Sequence, residues 1–211
     1  RIYDMIPSQM ENKKKRVVVK DIQGLKGDRF SRYQDEFEYL ISSGITLSVH
    51  AISHPHYPLK ESVQKNLLKL YMNDVGMLTS QLYRHNLRPI LNDERSINLG
   101  AVYENVVAQE LKAHGHTLFY YDNRQKGEVD FLIDDYDQLS VLPIEVKSGK
   151  DYTIHSALNN LLSVPEYHVL SGVVLSNERE VKTNGKVVYM PIYYIMFMDT
   201  DKQQDEKNVY F

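Results

Sequence analysis

The chain has 211 residues, 42% of them hydrophobic and 25% charged, enough for one substantial core or two small ones, so a globular protein is expected. With no cysteine it can build neither a disulfide framework nor a thiolate metal site. No run of 18 apolar residues and no signal-peptide pattern occur, so no membrane span is expected and the setting expected is cytoplasmic. The formal net charge of minus 3 hides a gradient: residues 1–32 hold nine Lys or Arg against four acids, plus 5, which leaves minus 8 for the rest.

From the N-terminus, RIYDMIPSQM reads as the middle of an amphipathic segment, and a start at Arg1 rather than methionine is what a piece of a longer protein would give. The basic run NKKKR follows. Lys13, Lys14, Lys15 and Arg16 are candidates for contact with nucleic-acid phosphates, and a solvated charged loop is the plainer reading. In DRFSRYQDEFEYLISSG, Tyr33, Phe37, Leu40 and Ile41 recur at helical spacing, and Gly44 is placed to end the helix. ITLSVHAI then alternates Ile45, Leu47, Val49 and Ala51 against polar neighbours, a half-buried strand, before the prolines of SHPHYPLKES interrupt regular structure. Helix, helix, strand and loop in a basic segment match the plan of a winged helix-turn-helix, which serves either DNA contact or protein–protein spacing. Residues 66–84 read as a bridging segment ending in a helix, so a first unit spans 1–84, and the polar stretch 85–97 reads as a linker.

A second unit is expected over 98–211. Asn98 is a suitable N-cap and Gly115 a suitable stop for a helix whose apolar stripe is Leu99, Val102, Tyr103, Val106 and Val107. Helical phase sets Glu104 at the margin of that stripe and Glu110 near its centre. TLFYYDN, a hairpin over 127–150, a helix at TIHSALNNLLSV, a strand at EYHVLSGVVLS and a last strand around KVVYMPIYYIMFM complete the order. Helix, three strands, helix, strand, strand describes an α/β sandwich around a mixed sheet, the second helix crossing over to a parallel neighbour.

The hairpin GEVDFLIDDYDQLSVLPIEVKSGK carries ionisable groups where packing prefers apolar ones. With the turn near DDYDQ, residue 130 falls opposite roughly 142–144, so Asp130 and Glu145 come within a residue or two of each other. Glu145 and Lys147 share a face. Glu104 can approach from the preceding helix. Two or three hard oxygen ligands with open water positions suit Mg²⁺ (or Mn²⁺), and a lysine beside them can orient or deprotonate a water. An exposed cross-strand ion pair without chemistry is the alternative, although VLPIEVK is apolar for a sheet edge.

These residues carry a resemblance. EVD followed by EVK, after a helix bearing Glu104, resembles the PD-(D/E)xK restriction-endonuclease-like fold. More narrowly, YENVVAQEL, YYDNRQKGEVDFLI and LPIEVKSGK are similar to the domain of unknown function at the C-terminus of bacterial and archaeal AAA-type ATPases. IPSQMENKKKRVVVKDI, YLISSGI, PLKES and KLYMNDVGML resemble the winged-helix segment those proteins place before it. The resemblance implies a mixed sheet flanked by helices, preceded by a winged-helix-like segment. It makes Asp130 and Glu145 metal ligands, Glu104 a ligand directly or through water, and Lys147 the group that handles the attacking water. Val129 stands where the signature has proline, a position that does not touch metal, and Glu128 and Glu110 are substitutes if the register is displaced. The implied activity is Mg²⁺-dependent hydrolysis of DNA phosphodiesters, with an ATPase domain of the same parent polypeptide as partner; a catalytically silent module that binds nucleic acid or protein is the rival. No G-x-x-x-x-G-K-[ST] occurs, so the chain is expected neither to bind nor to hydrolyse ATP. His54 with His56 and His114 with His116 have metal-site spacing but no third ligand, and are expected at the surface. Most of the sixteen tyrosines are expected in the core.

Overall fold

The computed structural model describes residues 2–11, 15–17, 30–84, 88, 92, 99–149 and 151–200. Helix α1 (Ile2–Glu11) and helix α2 (Gln34–Ser42) precede strands β1 (Thr46–Ile52) and β2 (Gln64–Met72); α3 (Val75–Tyr83) and α4 (Gly100–Ala113) follow. Then come β3 (Phe119–Asn123), β4 (Gly127–Asp135), β5 (Ser140–Val146), α5 (Ser156–Leu162), β6 (Gly172–Ser176), β7 (Lys182–Asn184) and β8 (Val187–Pro191). The eight strands among the described residues lie in one mixed sheet, in the order β2-β1-β3-β4-β5-β6-β8-β7. Among the described residues no helix is long and apolar enough to cross a membrane.

The hairpin forms because its sequence alternates on both sides of a polar turn. Asp135 Oδ1 accepts from the backbone N–H of Asp137 and of Gln138, both at 3.1 Å, which closes the turn from within. The ladder runs from Asp135↔Ser140 to Phe131↔Ile144. Residue 130 is therefore level with 145, one residue beyond the expected partner range of 142–144. From β5 the chain crosses through α5 into β6, and Ile144, Glu145 and Val146 pair in parallel with Val173, Val174 and Leu175. The α/β architecture with a mixed sheet flanked by helices is as the pattern of elements implied.

The sheet has two apolar faces because alternate strand residues divide between them. Phe131, Ile133, Ile144 and Leu175 pack with Ile6, Phe37, Val107 and Leu111 from α1, α2 and α4. Val129, Leu132, Val141 and Val174 pack with Leu158, Leu161 and Leu162 from α5.

Residues 1–84, expected as a separate unit, supply α1 through α3 and two strands of this same sheet. β1 pairs antiparallel with β2 and parallel with β3, where His50, Ala51 and Ile52 face Phe119, Tyr120 and Tyr121. Residues 66–72, expected as part of a bridge, lie in strand β2, where Leu68, Leu70 and Met72 and the intervening Lys69 and Tyr71 are all buried. Of the expected linker, only Arg88 and Asn92 are among the described residues, and Asn98 lies outside them. Helix α4 instead starts at Gly100 with Leu99 before it. Gly115, at φ +86°, takes the left-handed conformation that ends the helix.

Candidate active site

Two departures from regular pairing open a cleft between β4 and β5. Along β3 and β4, Phe119 faces Leu132 and Tyr121 faces Val129, so β4 holds one extra residue, a bulge between Val129 and Leu132. Beyond Phe131↔Ile144, β4 stays with β3 while β5 stays with β6. The strands fork there. The Lys147 N–H donates to the Leu175 carbonyl at 2.8 Å, and the Val146 N–H, facing away from β6, would have no strand partner. Asp130 Oδ2 accepts it at 2.8 Å. That bond fixes the Asp130 carboxylate in the mouth of the fork.

Glu145 and Lys147 enter from β5. The Lys147 ammonium is 2.7 Å from Glu145 Oε1, whereas Glu145 Oε2 is buried with no hydrogen-bond partner among the described residues. Burial first, and the Asp130 charge second, push the Glu145 carboxyl up to about 8 in spite of Lys147. Lys147 shifts upward: burial works against its charge, but Glu145, Asp130 and Glu104 outweigh it.

Glu104 comes from α4, whose buried face is Ala101, Val102, Glu104, Asn105, Val107, Ala108 and Leu111. Asn105 clamps α4 to the end of β2, accepting from the Met72 N–H at 2.9 Å and donating to the Met72 carbonyl at 3.0 Å. Gln109 accepts from the Val75 N–H at 3.0 Å. So fastened, Glu104 is 4% exposed, and Glu110, expected nearer the centre of the stripe, is only half-buried. The Lys15 ammonium pairs with Glu104 Oε1, and the Tyr71 hydroxyl donates to Oε2 at 3.1 Å. Burial and the Asp130 charge push the Glu104 carboxyl up to about 7 against the pull of Lys15 and Lys69.

Asp130, Glu145, Lys147 and Glu104 therefore meet at one place. Two residues unmarked by the sequence reading join them. Lys69 on β2 is fully buried, its Nζ 2.5 Å from Glu128 Oε1 and 4.4 Å from the centroid of the Tyr120 ring. Burial opposes its charge, but Glu128, Glu104 and Asp130 together raise its pKa. Tyr71, also buried, has its hydroxyl pushed well upward by burial and by Glu104. A lysine flanked by leucines in NLLKLYM was the available signal, since a strand buried on both faces has no water for an ammonium. Glu128, held as a substitute ligand, serves as the partner of Lys69.

The basic cluster is placed in part. Lys15 pairs with Glu104, Arg16 lies 3.3 Å from Asp122 Oδ2, and Lys13 and Lys14 fall outside the described residues. His54 and His56 are exposed. His116, contrary to expectation, is buried, its Nε2–H donating to the Met198 carbonyl at 2.7 Å.

Among the described residues no group of three or more His, Asp or Glu is assembled to hold a metal ion. Both oxygens of Glu104 are engaged by the chain itself, by Lys15 and Tyr71, and Asp130 and Glu145 face the fork. The partnerless Glu145 Oε2 beside Asp130 nevertheless suits a hard cation, which would satisfy that oxygen and offset the repulsion between the two carboxylates.

No curated protein and no solved structure matches the chain. Residues 99–195 match the family model of a domain of unknown function, DUF4143. The matched span runs from the start of α4 to beyond β8 and contains Glu104, Asp130, Glu145 and Lys147, so the chain carries a DUF4143 domain with the carboxylate cleft inside it.

Proposed function

We propose that this chain is the effector end of an AAA-type ATPase and that its cleft hydrolyses DNA phosphodiesters with Mg²⁺ or Mn²⁺. The observation that carries the reading is the fork, where Asp130 and a partnerless oxygen of Glu145 stand together with Lys147 at 2.7 Å from Glu145. That arrangement of acid, acid and lysine on two diverging strands is what the resemblance to the PD-(D/E)xK fold implies. Asp130 and Glu145 would hold the ion, with Glu104 next to them. When bound, it supplies a Lewis acid for a phosphoryl oxygen and a water of lowered pKa.

The remaining work falls to this chain's own side chains. The Val146 N–H keeps the Asp130 carboxylate from rotating out of the fork. Lys147, charged and partly exposed, can donate to the attacking water or to the phosphoryl oxygen that gains charge as water adds and the P–O bond breaks. Glu104 is held on a helix clamped at Asn105, so it can move little.

The test is conversion of supercoiled plasmid by the full chain in Mn²⁺, with EDTA and Lys147→Ala as controls. Nicking that requires both metal and Lys147 is expected. Equal nicking by Lys147→Ala would overturn the reading. A second reading, a silent module that binds nucleic acid or a protein for its ATPase, is favoured by the engagement of Glu104 with Lys15 and Tyr71. It predicts retention of DNA on a gel without Mn²⁺ uptake or cleavage.

A further inference from the structure

Residues 15–17 run beside β2 on the edge away from β1, and each is fastened differently. The Val17 N–H donates to the Leu68 carbonyl at 2.7 Å, and the Val17 side chain is buried. The Arg16 guanidinium meets Asp122 Oδ2. Lys15 reaches across to Glu104 Oε1. The side chains of Lys15 and Arg16 are 19% and 30% exposed, so water touches both ion pairs, while Glu104 beneath is 5% exposed. Among the described residues, the strap is held by one backbone bond, the buried Val17 side chain and two ion pairs that water reaches and weakens.

The ammonium sits on Glu104 Oε1, and the Glu104 carboxylate is close enough to Asp130 and Glu145 for their charges to be felt between them. A cation already on Glu104 repels another from it, so the strap and a divalent ion compete for the same oxygen. We propose that Lys15 is an intramolecular counter-cation and the 15–17 strap an autoinhibitory latch: the cleft gains its third carboxylate only when Lys15 leaves Glu104. The latch rests on the metal-dependent reading of the cleft. It means that whatever draws the strap from β2, a phosphate backbone attracting Lys15 and Arg16 being the chemistry they fit, also opens the site.

Mn²⁺ titration calorimetry on the full chain tests this without recourse to activity. Lys15→Met should bind Mn²⁺ on the order of tenfold more tightly than the wild type, within the range of ordinary allosteric couplings. Lys15→Arg, which keeps the charge, should not. Adding Glu104→Gln to Lys15→Met should bring the affinity back to the wild-type level. Lys15→Gln replaces the methionine variant if that fails to fold. Equal or weaker binding by the uncharged variants, with the wild type binding, would overturn the latch and leave the metal site standing. Absence of binding in every variant would overturn the metal reading and the latch with it.

Discussion

The helix side and the strand side of the cleft each bury a glutamate, and they treat it differently. Glu104 on α4 has a partner for each oxygen, Lys15 and Tyr71, with Lys69 close behind. Glu145 on β5 has Lys147 on one oxygen and no partner among the described residues on the other. Burial and Asp130 push both carboxyls upward, to about 7 and about 8. The helix side is thus built for its own fold, and the strand side is left short of one positive charge. A structural ion-pair network would have satisfied both.

The largest expected effect sharpens the helix side. Lys69→Met removes a fully buried cation from among Glu128, Glu104 and Asp130 and should lower the unfolding free energy by about 3 kcal/mol in urea melts. A loss within about 0.5 kcal/mol would mean that the helix side does not depend on its internal charge. On the strand side, Lys147→Ala should reduce cleavage on the order of 100-fold without weakening Mn²⁺ binding, since its charge acts on the developing transition state. Next comes Glu145→Gln. Metal at 100 times its Kd should stabilise the wild type by roughly 2.7 kcal/mol, and that increment should vanish in the variant without loss of stability in the metal-free state.

The smallest effect is a pH trend. Glu104 and Glu145 hold their protons more tightly folded than unfolded, where the ordinary value is 4.5. Folding therefore retains protons that the unfolded chain releases, and the stability this confers is fully present below about 4.5 and is lost as pH rises through about 7 and about 8. The metal-free Tm should fall by a few degrees between pH 5.5 and 8.5, and Glu145→Gln should flatten the fall. A Tm that climbs across this window would remove the carboxylate repulsion from the account.

Much of the strand side was legible because its determinants are local. Alternation, a polar turn and the spacing of Glu145 and Lys147 are all contained in 24 consecutive residues, 127–150. The β4–β5 ladder is regular, but the residue at which the polar turn closes has no comparable signal, so the partner of Asp130 is legible only to within a residue. The helix side was harder to read. Leu99 precedes the helix, and the buried face includes Asn105 and two alanines, polar and small residues that an apolar stripe does not mark, so its centre lies away from Glu110. Lys15 and Glu104 are 89 residues apart, and no periodicity reports such a pair. The family match has the same limit: it begins at residue 99 and leaves out Lys15, Lys69 and Tyr71.

The parallel joint between β1 and β3 decides where this protein can be cut. Its three residue pairs fasten the first two strands to the matched domain, and they cover an edge that reads Phe119, Tyr120, Tyr121. Each of those side chains is at most 2% exposed. A fragment trimmed to residues 98–211 would carry that aromatic strand as a bare rim, with open backbone donors and acceptors ready to recruit a second molecule. Insolubility of such a fragment would reflect a missing neighbour, not a failed fold, and solubility should return when residues 46–72 are supplied in the same polypeptide.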